Sequence, residues 1–172
     1  MTGLFISCES NEMEEVLSYS NVDTPPTRTT SNVTYTYTDS GKVSNILKAG
    51  KVLRYESNDS TYSLIREGFE LTFFDSRGEF DGRLTAMNGY IRGDNALMIA
   101  RDSVVFVNRL EEELLTEELI WEQDSAIVYT NKFVTINRAE TVLYGTGLES
   151  DENFTDYIIK NPTGEFFIDE EE

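Results

Sequence analysis

Leu97-Met98-Ile99-Ala100-Arg101-Asp102-Ser103-Val104-Val105-Phe106-Val107-Asn108 opens the stretch whose reading decides the fold. After a polar turn the chain continues as Leu114-Leu115-Thr116-Glu117-Glu118-Leu119-Ile120-Trp121. A second turn leads into Ala126-Ile127-Val128-Tyr129-Thr130-Asn131-Lys132-Phe133-Val134-Thr135-Ile136-Asn137. These are short β-branched and aromatic runs bounded by polar turn residues, the sequence form of consecutive strands. The last run repeats the first, since Val104-Val105-Phe106-Val107-Asn108 falls onto Phe133-Val134-Thr135-Ile136-Asn137. A strand–turn–strand unit used more than once is the first expectation.

Working outward, Val33-Thr34-Tyr35-Thr36-Tyr37-Thr38 alternates strictly, with Val33, Tyr35 and Tyr37 on one face. Asp39-Ser40-Gly41-Lys42 predicts a hairpin turn and residues 43–49 the returning strand, continued by Val52-Leu53-Arg54-Tyr55. Residues 56–60 predict a loop. Phe69-Glu70-Leu71-Thr72-Phe73-Phe74, the turn Asp75-Ser76-Arg77-Gly78 and a strand closing in Leu84-Thr85-Ala86 echo that unit. A third copy runs from Val104 to Glu117 and a fourth from Phe133 to Gly145. Gly145-Thr146-Gly147-Leu148 predicts a bend and not a phosphate loop, because no helix follows it. Phe154-Thr155-Asp156-Tyr157-Ile158-Ile159-Lys160 predicts a further strand, Asn161-Pro162-Thr163-Gly164 a turn, and residues 165–168 a last short strand. Residues 169–172 are expected to be a solvated acidic tail. The folded domain is therefore expected over residues 32–168.

The alternation also assigns faces. Thr135 divides Val134 from Ile136, which places both on the inner face, and the repeat puts Val105 and Val107 with them and Phe106 outward or at the rim. Ile127 and Tyr129 complete this expected apolar lining. A slip of one residue reverses every such assignment.

Bulk properties bound the function. A chain of 172 residues is naturally one domain, and it buries about 70% of its unfolded surface. The formal charge of -18, from 32 acids and 14 bases, argues against nucleic acid, whose binders need Lys and Arg to displace counterions. It equally argues against adhesion to an anionic membrane by charge alone. With no histidine and one cysteine, a Ser-His-Asp or Cys-His site cannot be built, nor an intramolecular disulfide. Carboxylate pairs could act on a glycoside, but 32 scattered acids make some close pair unavoidable. The expectation is a protein that is not an enzyme and takes no metal or cofactor.

At the N-terminus an apolar stretch, Leu4-Phe5-Ile6, ends in Ser7 directly before Cys8. This resembles the lipobox of bacterial lipoproteins, in which Cys is acylated, so residues 1–8 read as the remnant of a lipoprotein signal with Cys8 as the lipidation site. Stable anchoring needs more than one acyl chain, which a diacylated or triacylated Cys8 supplies. Residues 9–31 read as a flexible spacer: Met13, Val16 and Leu17 allow a helical turn or two, and a polar, Pro-containing tether follows.

With the units laid side by side, the chain resembles the LptC family, the periplasmic component of the lipopolysaccharide-export ABC transporter, and in particular its Bacteroidetes lipoprotein-type members. The resemblance rests on Asp39-Ser40-Gly41-Lys42 with Leu47 and Ala49, on Gly68-Phe69 through Asp75 with Gly78, and on Leu84-Thr85-Ala86. It continues through residues 100–108 and 115–121, then Phe133-Val134-Thr135-Ile136, Tyr144-Gly145-Thr146-Gly147-Leu148-Glu149-Ser150, Phe154 and Tyr157. The turn Arg109-Leu110-Glu111-Glu112-Glu113 departs from the family by lacking a Gly.

The resemblance implies an all-β fold, an open antiparallel β-jellyroll whose inner face holds lipopolysaccharide acyl chains. It implies a protein of the periplasm, anchored to the inner membrane, here through Cys8, that passes lipid from the transporter to a homologous bridge protein by edge-strand pairing. Phe154, Tyr157, Ile158 and Ile159 are the expected edge. Acyl capture without a dedicated phosphate site is expected, because each buried methylene contributes about 0.8 kcal/mol. Two other classes share the strands: a soluble bridge protein of the same fold, and a structural surface lipoprotein whose core is filled.

Overall fold

The computed structural model describes residues 25–57, 60–152 and 154–163. They form ten strands: β1 (Arg28–Asp39), β2 (Lys42–Glu56), β3 (Thr61–Phe74), β4 (Phe80–Ala86), β5 (Asn88–Arg92), β6 (Leu97–Asn108), β7 (Glu113–Glu122), β8 (Ile127–Asn137), β9 (Val142–Asp151) and β10 (Tyr157–Thr163). All pairings are antiparallel. The order β1-β2-β3-β4-β6-β7-β8-β9-β10 follows the chain, and β5 completes the layer by pairing with β3 and β6. Hairpin after hairpin, the sheet is an antiparallel meander, with β1 and β10 at its two ends.

The long strands do not run straight. Each breaks its ladder near the middle, and the breaks line up across the sheet. Register shifts fall at Gly50, between Arg101 and Val104, between Thr116 and Ile120, and between Thr130 and Phe133. Asn32, Glu67, Asp102 and Ser103 take positive φ, as do Gly68 and Gly147. Between β4 and β5, Met87 steps out of the strand and bonds Gly68 on one side and Asp102 on the other. The residues that tolerate the left-handed region, Asn, Asp and Gly, supply much of this line. β-bulges sharpen the local twist and bend a strand. A row of them creases the sheet into two half-sheets that face each other.

Cross-strand rows then fill the space between the halves. Leu47, Leu71, Leu84, Phe106, Leu114, Ile136 and Leu143 stand opposite one another in sequence across one half-sheet. The other half contributes Val52, Ile65, Ala100, Leu119, Val128 and Leu148 to the same core. Rings tie the halves at the rim away from the crease. Phe73 meets Trp121 edge-on at 6.1 Å and Phe106 at 6.3 Å, and Phe106 stacks on Phe154 at 4.2 Å.

The second half-sheet is apolar on its outer face as well. Leu53, Leu64, Tyr90, Ile99, Ile120 and Tyr129 are successive cross-strand neighbours. With Tyr62 they form a second buried cluster, extended by the stack of Tyr55 on Tyr62. A strand apolar on both faces loses its alternation, and so 61–66 and 88–92 were not legible as strands.

Several expectations are corrected. β1 begins at Arg28 and not at Asn32. Residues 161–163 belong to β10 and not to a turn, while Phe154 precedes that strand in a turn at positive φ. The 109–112 turn manages without Gly, because Glu111 takes φ 62 and the Asn108 carboxamide oxygen accepts from the Leu110 and Glu112 amides. Cys8, the 9–24 part of the spacer, the 165–168 strand and the tail lie outside the described residues.

Candidate functional site

The interior is not uniform from end to end. From β6 to β9 it is filled: Val104, Val134 and Leu148 are at most 1% exposed, and the Phe106–Phe154 stack closes the rim above them. Toward β1 it opens. A cavity of about 220 Å³ lies between the half-sheets, lined by Tyr35, Tyr37 and Leu47 on one side and by Arg28, Val52, Arg54, Ile65 and Ile91 on the other. A second space of about 110 Å³ adjoins it, running past Leu71 and Met98 to Trp121 and sharing Tyr37, Leu47, Ile91 and Asn95 with the first. Together they make a groove with an aliphatic floor, an aromatic end wall and polar residues at the lip.

The reason for the opening is local. β1 is the end of the sheet, and its inward positions carry Tyr35 and Tyr37, 38% and 42% exposed, where the later strands carry buried aliphatics. Two rings leaning on Leu47 leave a gap that a branched side chain would fill. Half-burial against the groove wall, with Tyr35 alongside, pushes the Tyr37 phenol above its usual value of 10.0, so it remains a neutral donor at physiological pH. Deeper in, the Trp121 indole N–H is buried with no hydrogen-bond partner. A donor left so costs about 1–3 kcal/mol, which an acceptor entering the groove would recover.

The residues expected to line the groove are placed as follows. Val134 and Ile136 point inward but sit in the filled part, 0% and 4% exposed. Val105 and Val107 face the opposite way: Val104 and Phe106 are the inward pair on β6. The registers explain the slip, because Val104 and Val134 both stand opposite Thr116, and Phe106 and Ile136 both opposite Leu114. The true offset of the repeat is one residue longer than the sequence match, both before the breaks at 102–103 and 131–132, where Ile99 and Tyr129 stand opposite Ile120, and after them. Val105 and Val107 lie half-buried on the outer face, where the Phe133–Tyr144 stack also stands. Ile127 and Tyr129 are outward too, and Tyr129 packs on the second cluster and donates to Glu122 Oε1 at 3.0 Å. Of the expected edge, Tyr157 and Ile159 turn into the core, Ile158 is 70% exposed, and Phe154 is a buried rim plug. The groove residues Leu47, Ile65, Ile91 and Trp121 were not assigned to the lining from sequence. Alternation marked Tyr35 and Tyr37, but nothing local shows which end of a repeated sheet stays open.

The architecture is thus an all-antiparallel β-sheet of successive hairpins, folded over one apolar interior with cavities beside β1. The family model described as lipopolysaccharide-assembly, LptC-related, matches residues 3–155. The chain belongs to this family, and with it to the lipopolysaccharide transport machinery, as a periplasmic, membrane-associated component of the export ABC transporter system. Among curated proteins no match to the chain is found.

Proposed function

We propose that this protein is a membrane-anchored periplasmic lipid-transfer component with an open β-jellyroll, holding lipopolysaccharide acyl chains in the groove between its half-sheets. It hands them to a homologous bridge protein across its edge strand and is anchored through a lipid on Cys8. The observation that carries this reading is the groove from Tyr35 to Trp121, aliphatic along its floor and lying beside the end strand β1. Hydrophobic transfer supplies the affinity, at about 0.8 kcal/mol per methylene buried, while the Trp121 N–H and the Tyr37 hydroxyl offer donors to an ester or amide carbonyl near the head. β10 supports the hand-over, because among the described residues it pairs with β9 alone and leaves Ile158 bare. Lys160 and Pro162 blunt the far half of that edge, so pairing would run through 157–159.

Trp121 is the one tryptophan of the chain, which makes the groove directly observable. Lipid A titrated into the protein is expected to blue-shift and saturate Trp121 emission. A photo-crosslinker replacing Leu47 or Ile91 is expected to capture lipid A, and one replacing Val105 to capture none. Emission unmoved at saturating lipid, with no adduct at Leu47 or Ile91, would sink the groove. The filled interior from β6 to β9 favours a second reading, a structural surface lipoprotein that binds no lipid. Native mass spectrometry after membrane extraction separates the two by the presence or absence of co-purifying lipid.

A further inference from the structure

The lip of the groove carries a feature that an apolar carrier does not need. Arg28 of β1 and Arg54 of β2 are directly opposite each other in the ladder, and both line the cavity. Like charges directly opposite in an antiparallel pair destabilise it. In a chain with 32 acids and 14 bases, juxtaposing two of the bases is a costly arrangement to leave uncompensated. Glu56 Oε1 accepts from Arg54 Nε at 2.5 Å, which answers one of the two charges. Arg28 forms no ion pair among the described residues. Beside the two guanidinium groups, Thr30 and Ser63 add hydroxyls to the same wall, and Val52, Ile65 and Ile91 begin the apolar floor.

From this juxtaposition we propose that Arg28 and Arg54 form a clamp for the phosphate of an amphiphile whose acyl chains occupy the groove; the clamp rests on the groove reading above. A guanidinium presents paired N–H groups in a plane that matches two oxygens of a phosphate, and two guanidiniums engage one dianion from both sides. The phosphate removes the repulsion between the arginines and displaces the Glu56 carboxylate from Arg54. This revises the expectation of capture without a phosphate site: a strongly acidic protein concentrates two of its few cations where the head of a bound lipid lies. Binding is then strongest for a ligand that is anionic at one end and apolar along the rest, and each half alone binds weakly.

The test compares lipid A with its phosphates intact against the same lipid A enzymatically dephosphorylated, using the full chain and the variant Arg28→Gln/Arg54→Gln. The variant is expected to bind intact lipid A about tenfold more weakly. Its affinity for the dephosphorylated lipid falls far less, and the salt dependence of binding flattens. Glu56→Gln has the opposite sign and tightens intact lipid A alone. Equal losses for both lipids, or no loss for either, overturn the clamp. If the wild-type chain binds neither lipid, the groove reading fails, and glucosamine 1-phosphate decides the clamp separately. Chemical-shift changes confined to the Arg28 and Arg54 side chains uphold it, and their absence overturns it.

Discussion

At the scale of the residue, burial separates side chains that hold the fold from those free to meet a ligand. Leu148 is 0% exposed at the centre of the filled half, so Leu148→Ala is expected to cost about 2–5 kcal/mol in urea unfolding. Val134, equally buried, cannot accept a charge, and Val134→Asp is expected to yield no cooperative thermal transition at all. A folded Val134→Asp protein would contradict the filled interior. Sequence reading went furthest here where alternation was clean: Val134 and Ile136 were rightly put inside. It failed at Val105 and Val107 because the two copies were matched one residue out of register, and a slip of one reverses the face. Asp102 and Ser103 both take left-handed φ, yet this two-residue bulge keeps β6 in phase, with Met98 and Ala100 before it and Val104 and Phe106 after it all turned to the core.

Elements come next. β10 lies close against β9 because Gly145 has no side chain. A Cβ there would run into the Ile159 side chain and come within 2.7 Å of the Asn161 carbonyl oxygen. Gly145→Val is therefore expected to detach β10 selectively. Amide exchange should rise at 157–163 while β2 and β3 stay protected, and equal protection at β10 would show that the edge yields without opening. The turn into β10 is held by Asp151. Burial pushes its carboxyl up, but the Asp156 and Thr155 amides and the Thr155 and Ser150 hydroxyls outweigh this, leaving it below its usual value of 3.8. Its contribution is complete above that usual value and is lost as pH falls through the lower, folded one. Melting followed from pH 6 to about pH 3 is expected to fall less steeply for Asp151→Asn than for the wild type; parallel curves would remove Asp151 from the acid response.

For the molecule as a whole, the charge of -18 sets a self-repulsion that ion pairs offset only in part. Most of the pairs are exposed, such as Lys48–Glu70 and Arg77–Glu79, and contribute at most about 1 kcal/mol each. Melting temperature is therefore expected to rise between low salt and about 0.5 M salt, where the Debye length shrinks to a few ångströms. A fall would mean that attraction, and not repulsion, dominates the surface. Two half-sheets, each from nine or so strand segments, share one interior, and the groove exists because that interior is packed at one end and not at the other.

The sequence by itself determined the strand character, the repeated hairpins, most turns and the family, because these follow from local pattern and from the order of motifs along the chain. It also excluded histidine-based catalysis outright, since composition needs no fold to be read. Only the tertiary structure decided the crease, the inward face of β6, the closed end at Phe154 and the open one at Tyr35 and Tyr37. It alone brought Arg28 opposite Arg54. The physical reason is that alternation reports which residues share a face, whereas the contents of a cavity depend on which faces meet across it, and aligned bulges far apart in the chain settle that.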